Sequence, residues 1–502
     1  MNVIEKHLSA TKRLAVMQNP QEIGNWLLSR GYYPEQYVLP PPFEVVDFPL
    51  EKKPFFKTVA RKNRTTFEVT PSEMIKLSFP KSNLAVRSFS VIEPKIYHDI
   101  VWYMVNEWPL ILRSIIGGKR RIIPYSFPVP LDKSRPGQVG GLRSGRMIYE
   151  FLQMAENDLV AEAYNYRVML ITDISNFYPS IYTHSIAWAL HGKNQARGDK
   201  NYLLLGNKLD KLVQYANDRC TNGIAIGPAV SDIIAEIISS AIDRDLTKAV
   251  GDNIDFIAVR FKDDYRILAK SEDDAKKILH HLQKCLFEYN LSLNDKKTEI
   301  RDIPEGLYRE WAVAYQDLSL RMEMNIDYRK FERNILAVMQ IDAEYPGTGI
   351  IDRFLSELHS NDYSLKCSFS TDEARKAFSL LMLLRQRRAK SFPHILGMVE
   401  ALLHEHSEPS FQTYIAESIV SLWESLIEKE EDNEYEVVWL TYFLKWVLGY
   451  SINIPGVNSP FVRSIVRNKD LVFESNIAEI FNKNIFVDSN HIWKHISPFI
   501  RL

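Results

Sequence analysis

Between Ile254 and Ala269 the chain reads IDFIAVRFKDDYRILA, two runs rich in β-branched and aromatic residues parted only by Lys262, Asp263 and Asp264. Such runs around so short a break predict two neighbouring strands joined by a tight turn. Upstream, Tyr166 to Thr172 predicts a short apolar strand that stops at Asp173, and SIYTHSIAWAL after Pro179 predicts a helix. A second helix is expected after Pro228, where Ile233, Ile234, Ile237, Ile238, Ala241 and Ile242 recur at helical spacing. Downstream, Ser271 opens a third helix with Glu272, Asp273 and Asp274 in its first turn and Ala275, Ile278, Leu279, Leu282 and Leu286 on one face. Strand, two helices, two strands and a helix predict an α+β sheet domain between Arg167 and Thr298.

Two acidic sites end strands in this domain: Asp173 in LITDISNFYPS, and the Asp263-Asp264 pair. Two like charges about 4 Å apart repel by roughly 4 kcal/mol at an effective dielectric of 20, so three carboxylates brought together imply a divalent metal. Mg²⁺, with Mn²⁺ as the alternative, suits oxygen-only ligands, and two such ions suit nucleotidyl transfer. Asp273-Asp274 is the internal control. That pair follows a helix cap, where acids are favoured by the helix dipole alone, and no metal role is expected of it.

Four segments in order resemble the palm and fingers of reverse transcriptases. They are Asp173-Ile174-Ser175-Asn176-Phe177-Tyr178, the glycine-rich turn from Gly223 through Gly227 and Pro228 to Ser231, Phe261-Lys262-Asp263-Asp264, and Leu293-Asn294-Asp295-Lys296-Lys297-Thr298. NFYPSIYTHSIAWALHGK, the RFKDD box and the amino-terminal RGYYPEQYVLPPPFE are similar to the AbiK-like abortive-infection (Abi) reverse transcriptases, in the form carried on P2-like prophages. The resemblance implies a right-hand polymerase palm and fingers followed by an all-α, HEAT-like helical domain, and a role in antiphage defence. It implies that Asp173 and Asp263 hold two metals, with Asp264 in support and the Ile174 carbonyl as a further ligand. Tyr178 would lie under the incoming sugar and select deoxyribonucleotides, and Lys297 would serve the leaving pyrophosphate. Gly227 would border the nascent pair, while Arg87, Arg120, Arg121 and Arg143 are candidates for triphosphate or backbone contacts.

Ile226 stands where retroviral enzymes have glutamine, so a polar contact near the templating pair is absent; Phe261 replaces a tyrosine without removing metal ligands. The resemblance further implies untemplated DNA synthesis begun from a tyrosine of the protein itself. Tyr32, Tyr33 and Tyr37 are the candidates. Single-stranded DNA, covalently attached, would be the product, and a homo-oligomer the working form. Two alternatives stay open: a conventional RNA-templated reverse transcriptase, and an inactive palm used as a binding scaffold.

The 502 residues allow about three folding units. They are expected as an arm with fingers (1–165), a palm (166–317) and a helical domain (318–502). The arm combines a helix from Gln21 to Arg30 with an extended path through Pro40, Pro41 and Pro42, and RPGQVGGLRSGR at residues 135–146 reads equally as a phosphate-facing loop or a solvated linker. No apolar run is long enough to span a membrane, the start of the chain has no secretory pattern, and three cysteines form no disulfide framework, so a soluble cytoplasmic protein is expected. The net charge of -1 hides a gradient, since residues 51–150 hold 18 basic and 8 acidic side chains and residues 401–450 hold 2 and 10. A polyanion should meet the first segment and avoid the second.

Overall fold

The computed structural model describes residues 2–61, 64–82, 85–140, 150–454 and 456–496. At its centre is a five-stranded sheet built from β5 (Ile122–Pro124), β6 (Val168–Asp173), β7 (Phe256–Phe261), β8 (Asp264–Ala269) and β9 (Glu299–Asp302), in spatial order β5-β7-β8-β6-β9. β7 and β8 form the expected hairpin, and β6 runs antiparallel to β8 with Val168 opposite Ala269 and Asp173 opposite Asp264. Three acidic positions therefore meet at one end of the sheet.

Two long helices cover the sheet. Ala229–Val250 starts after Pro228 and buries Ile233, Ile234, Ile237, Ile238 and Ile242, which is why its isoleucines are so densely spaced. Glu272–Phe287 is capped by Ser271, whose side chain accepts from the Asp274 amide at 3.2 Å. In its first turn Asp273 pairs with Lys277 at 2.6 Å and Glu272 with Lys276 at 2.7 Å, so the second Asp-Asp pair is spent on the helix itself. The helix expected from Ser180 to Leu190 is interrupted: Phe177–Ser180 and His184–His191 are separate, with Tyr182 bridged to Asn222 between them.

Two hairpins, β1 (Thr58–Arg61) with β2 (Arg64–Phe67) and β3 (Ile75–Ser82) with β4 (Ala85–Val91), lie ahead of helices Pro94–Asn106 and Trp108–Ile116. The amino-terminal fifty residues are not an outlying arm. Helices Val3–Val16 and Pro20–Ser29 lead into a buried stretch in which Tyr32, Tyr33, Val38, Leu39 and Phe43 join the main core.

After residue 318 the chain is helical, including Tyr328–Glu344, Thr371–Arg387, Phe392–Glu405, Pro409–Ile427 and Glu430–Tyr442. Thr371–Arg387 carries a capping box between Ser370 and Glu373, the local reason for its start. These helices close onto the amino-terminal segment. Tyr435 Oη donates to the Tyr37 carbonyl at 3.0 Å, Trp439 Nε1 to that of Val38 at 3.3 Å, and Tyr33 Oη to that of Ile480 at 2.6 Å. Among the described residues no helix is long and apolar enough to cross a membrane, and all three cysteines are free.

Candidate active site

Asp173 is the last residue of β6 and is 4% exposed. Its Oδ2 accepts from Lys297 Nζ at 2.5 Å, and its Oδ1 is buried with no hydrogen-bond partner among the described residues. The backbone holds this strand end on both sides: the Ile174 amide donates to the Asp263 carbonyl at 3.2 Å and the Asn294 amide to the Asp173 carbonyl at 2.9 Å. Lys297 ends a short 3-10 turn, Asp295–Lys297, and Thr298 beside it shares a 2.7 Å hydroxyl contact with Thr172.

The turn that carries Asp263 is strained and held. Lys262 has φ 55°, a left-handed conformation disfavoured for a residue with a side chain. Its amide donates to Ser126 Oγ at 2.8 Å and its carbonyl accepts from Arg260 Nη1 at 2.9 Å. Arg260 is fully buried and is answered by two carboxylates: Nη2 meets Glu236 Oε1 at 2.6 Å, and Nε meets Asp243 Oδ2 at 2.9 Å. Ser126 Oγ donates to Glu236 Oε2 at 3.0 Å, and Tyr265 Oη to Asp243 Oδ1 at 3.1 Å, which completes the network. A buried arginine with this many hydrogen-bonded partners fixes geometry, because any movement would leave a charge unpaired in low dielectric.

Burial raises the Asp263 carboxyl above its ordinary range, and Asp173 adds to the rise against the pull of Lys262 and Lys297. Burial, and then repulsion from Asp263, push Asp264 up to about 6. For Lys297 burial acts against the charge, but the hydrogen bond and attraction of Asp173, followed by Asp264 and Asp263, win and raise its pKa. Among the described residues no three carboxylate, imidazole or thiolate side chains are gathered around one point as a finished metal cage. The donor set nonetheless fits a hard divalent cation: only oxygen ligands, one buried carboxylate oxygen without a partner, and two carboxylates whose charge the fold disfavours without a counter-charge.

Tyr178 lies in the short helix Phe177–Ser180, and its hydroxyl donates to Asp232 in the first turn of Ala229–Val250. The glycine-rich turn docks on the same segment, with the Ile224 amide donating to the Tyr178 carbonyl at 3.0 Å. Gly227 has φ 123°, and a Cβ there would come within 2.8 Å of Pro34 Cγ and 3.2 Å of Phe89 Cδ1, so both conformation and close packing demand glycine. Ile226 anchors this turn through its carbonyl, which accepts from the Ser90 amide at 2.8 Å.

The arginine candidates scatter. Arg87 is exposed on β4. Arg120 is buried beside the Glu236–Asp243–Arg260 network and donates to the Gly117 carbonyl at 2.7 Å; burial brings its pKa down to about 10. Arg121 spends its guanidinium on the carbonyls of Gly251 and Ile254, at 2.5 and 2.7 Å, and lies 3.9 Å from the Phe256 ring centroid. Arg121 is thus occupied by backbone carbonyls, whereas Nε and Nη1 of Arg120 are buried with no hydrogen-bond partner among the described residues. Arg143 lies outside the described residues.

The tyrosine candidates differ in burial. Tyr32 is 0% and Tyr33 6% exposed, their hydroxyls donate to the carbonyls of Ile92 and Ile480, and burial raises both pKa values well above the ordinary range. Both hydroxyls are thus enclosed by protein and occupied by backbone carbonyls. Tyr37 is partly exposed and packs 6.0 Å from the Phe79 ring, which in turn meets Phe89 beside Gly227.

Asp232, Glu236, Asp243, Arg260 and Ser126 were not expected from the motifs. A signal was nevertheless present: Glu236 and Asp243 stand seven residues apart among the isoleucines of one helix, and Arg260 interrupts an apolar strand. Charges at such positions need partners inside the protein.

Residues 130–311 match the family described as reverse transcriptase (RNA-dependent DNA polymerase). The chain therefore carries, over those residues, a nucleotidyltransferase domain of the reverse-transcriptase polymerase type. Among solved structures it is similar to apo telomerase from Candida tropicalis, at 11% identity and TM-score 0.32, over 70% of this chain and 67% of that one. It is also similar to telomerase from Candida albicans in complex with a fragment of telomeric RNA, at 14% identity and TM-score 0.24, over 62% of this chain and about half (53%) of that one. No curated protein sequence matches it.

Proposed function

We propose that the chain is a DNA polymerase that joins deoxynucleoside triphosphates without a template, begins from one of its own tyrosines, and acts in abortive infection against phage. The reading is carried by the in-register pairing of Asp173 with Asp264, which brings the strand-end carboxylates and the adjoining Asp263 to one end of the sheet. Asp173 and Asp263 would hold two Mg²⁺ ions, or Mn²⁺, with Asp264 in support and the Ile174 carbonyl as a backbone ligand. Bound metal supplies acidity to the attacking hydroxyl and charge neutralisation to the leaving pyrophosphate.

The chain's own groups do the positioning. Lys297 keeps its proton on Nζ beside Asp173 and offers that charge to the pyrophosphate. The Tyr178 ring excludes a 2′-hydroxyl, and the turn at Gly227 borders the nascent pair. Tyr37, the arm candidate that is not sealed in the core, is the proposed primer. Its product would be single-stranded DNA bound to the protein, and the helical region would act as a HEAT-like scaffold within a homo-oligomer.

Ile226 favours this reading, since an aliphatic side chain offers no polar contact to a templating pair. The family match favours a second one, an RNA-templated reverse transcriptase. Incubating the full chain with Mg²⁺ and labelled deoxynucleotides, with and without primed RNA, separates them on a denaturing gel. Label that travels with the protein in the absence of template is the expected result. Incorporation only on primed RNA selects the second reading, and no incorporation under any condition overturns both.

A further inference from the structure

The Asp232 carboxylate sits where three separate segments meet. It lies on the first turn of Ala229–Val250 and is 8% exposed. The Tyr178 hydroxyl, from the segment that follows β6, donates to it, and Lys262 Nζ, from the strained turn between β7 and β8, lies 3.4 Å from its Oδ1. Tyr178, Asp232, Glu236, Ser126 and Lys262 line one small cavity directly beneath that turn. A tyrosine ring held only by packing can swing about χ1 and χ2, whereas one whose hydroxyl donates to a buried carboxylate is fixed at both ends.

We propose that Asp232 is a specificity-determining positioning residue, which tethers the Tyr178 ring against the catalytic turn and thereby sets the discrimination between deoxyribo- and ribonucleotides. The proposal rests on the polymerase reading above and on Tyr178 as the sugar-facing side chain. Neither the strand-end aspartates nor the ring's bulk alone accounts for a buried carboxylate at this point. Its negative charge is answered by Lys262 from the same turn that carries Asp263, so the position of the ring and that of the metal-binding turn are set by one group. A ring free to rock would leave room for a 2′-hydroxyl part of the time, and selectivity would fall even though the bulk of the side chain is unchanged.

The test uses the full chain with Mg²⁺ and reads the ratio of kcat/KM for dATP to that for ATP. The ratio of equilibrium dissociation constants for the two nucleotides serves as a second readout. Tyr178→Val probes the sugar-facing role itself and should collapse the ratio. Tyr178→Phe, which keeps the ring and removes the tether, and Asp232→Leu, which keeps the branched outline and removes the acceptor, should each lower it about tenfold, the scale of one charge-assisted hydrogen bond. The double variant should lower it no further than Asp232→Leu alone, since that change already removes the tether together with the Lys262 pair. If Tyr178→Val collapses the ratio while Tyr178→Phe leaves it unchanged, the tether proposal is overturned and the sugar-facing reading stands. An unchanged ratio in Tyr178→Val overturns that reading, and the tether with it. Tyr178→Phe decides the matter even if Asp232→Leu fails to fold.

Discussion

Asp263 and Asp264 are carboxylates that the fold makes unwelcome as anions, and that sets their pH behaviour. A carboxyl whose pKa is higher folded than unfolded takes up protons on folding. Its contribution to stability therefore falls as pH rises from about 4, the unfolded value, through the folded value. For Asp264 that window closes at about 6. Metal-free protein should accordingly have a higher Tm as Asp264→Asn than as wild type at pH 7.5, with the difference vanishing near pH 4. Mg²⁺ should raise the wild-type Tm at pH 7.5 and leave that of Asp263→Asn almost unmoved, while synthesis by Asp263→Asn falls below detection. A variant whose metal-free Tm drops at pH 7.5 would contradict the account of mutual repulsion. Arg260 behaves in the opposite sense. Arg260→Met leaves Glu236 and Asp243 buried without their cation, and breaking such a pair costs about 3–5 kcal/mol, measurable by urea denaturation. Ser126→Ala is milder: it removes the hydrogen bonds to the Lys262 amide and to Glu236, costs about 2–3 kcal/mol, and should lower kcat through a looser turn.

At the scale of elements, the turns are the most exacting parts of the chain. Gly227→Ala forces a side chain into φ 123° and into contact with Pro34 and Phe89, so it should cost at least about 1–2 kcal/mol and depress synthesis more than stability. Equal Tm and full activity in that variant would sink this account of the turn. Much of the element layout was legible from local chemistry. The two strands around Lys262, the cap at Ser271 and the isoleucine-rich helix after Pro228 follow from alternation, capping and helical spacing, which act within a few residues. The contrast between the two Asp-Asp pairs was legible for the same reason, since a helix first turn explains Asp273 and Asp274 and nothing local explains Asp263 and Asp264. The break of the helix around Tyr182 was not, because it depends on a bridge to Asn222, forty residues away.

Across the whole molecule, the amino-terminal segment and the helical region share a core through Tyr435, Trp439 and Ile480. Trp439→Ala should therefore lower the stability of the entire chain by about 3–5 kcal/mol and loosen the segment around Val38, seen as faster proteolysis between residues 30 and 45. A chain ending at residue 317 is expected to aggregate, because it uncovers Phe79, Val38 and Leu39. Residues 1–300 carry 40 basic and 34 acidic side chains and residues 301–502 carry 22 and 29, so near-neutrality is a cancellation between a basic first part of the chain and an acidic, largely helical second part. By itself the sequence determined which strands end in aspartate, where the glycine turn falls and which acidic pair is only a cap, since these depend on neighbours in the chain. Tertiary structure alone decided that Tyr32 and Tyr33 are sealed in the core, that Arg121 is spent on the backbone, and that Arg260 and Asp232 meet the turn that carries Asp263. Burial and charge pairing are set by residues from 17 positions apart, as for Arg260 and Asp243, to 447, as for Tyr33 and Ile480, and no periodicity along the chain encodes which of them will meet.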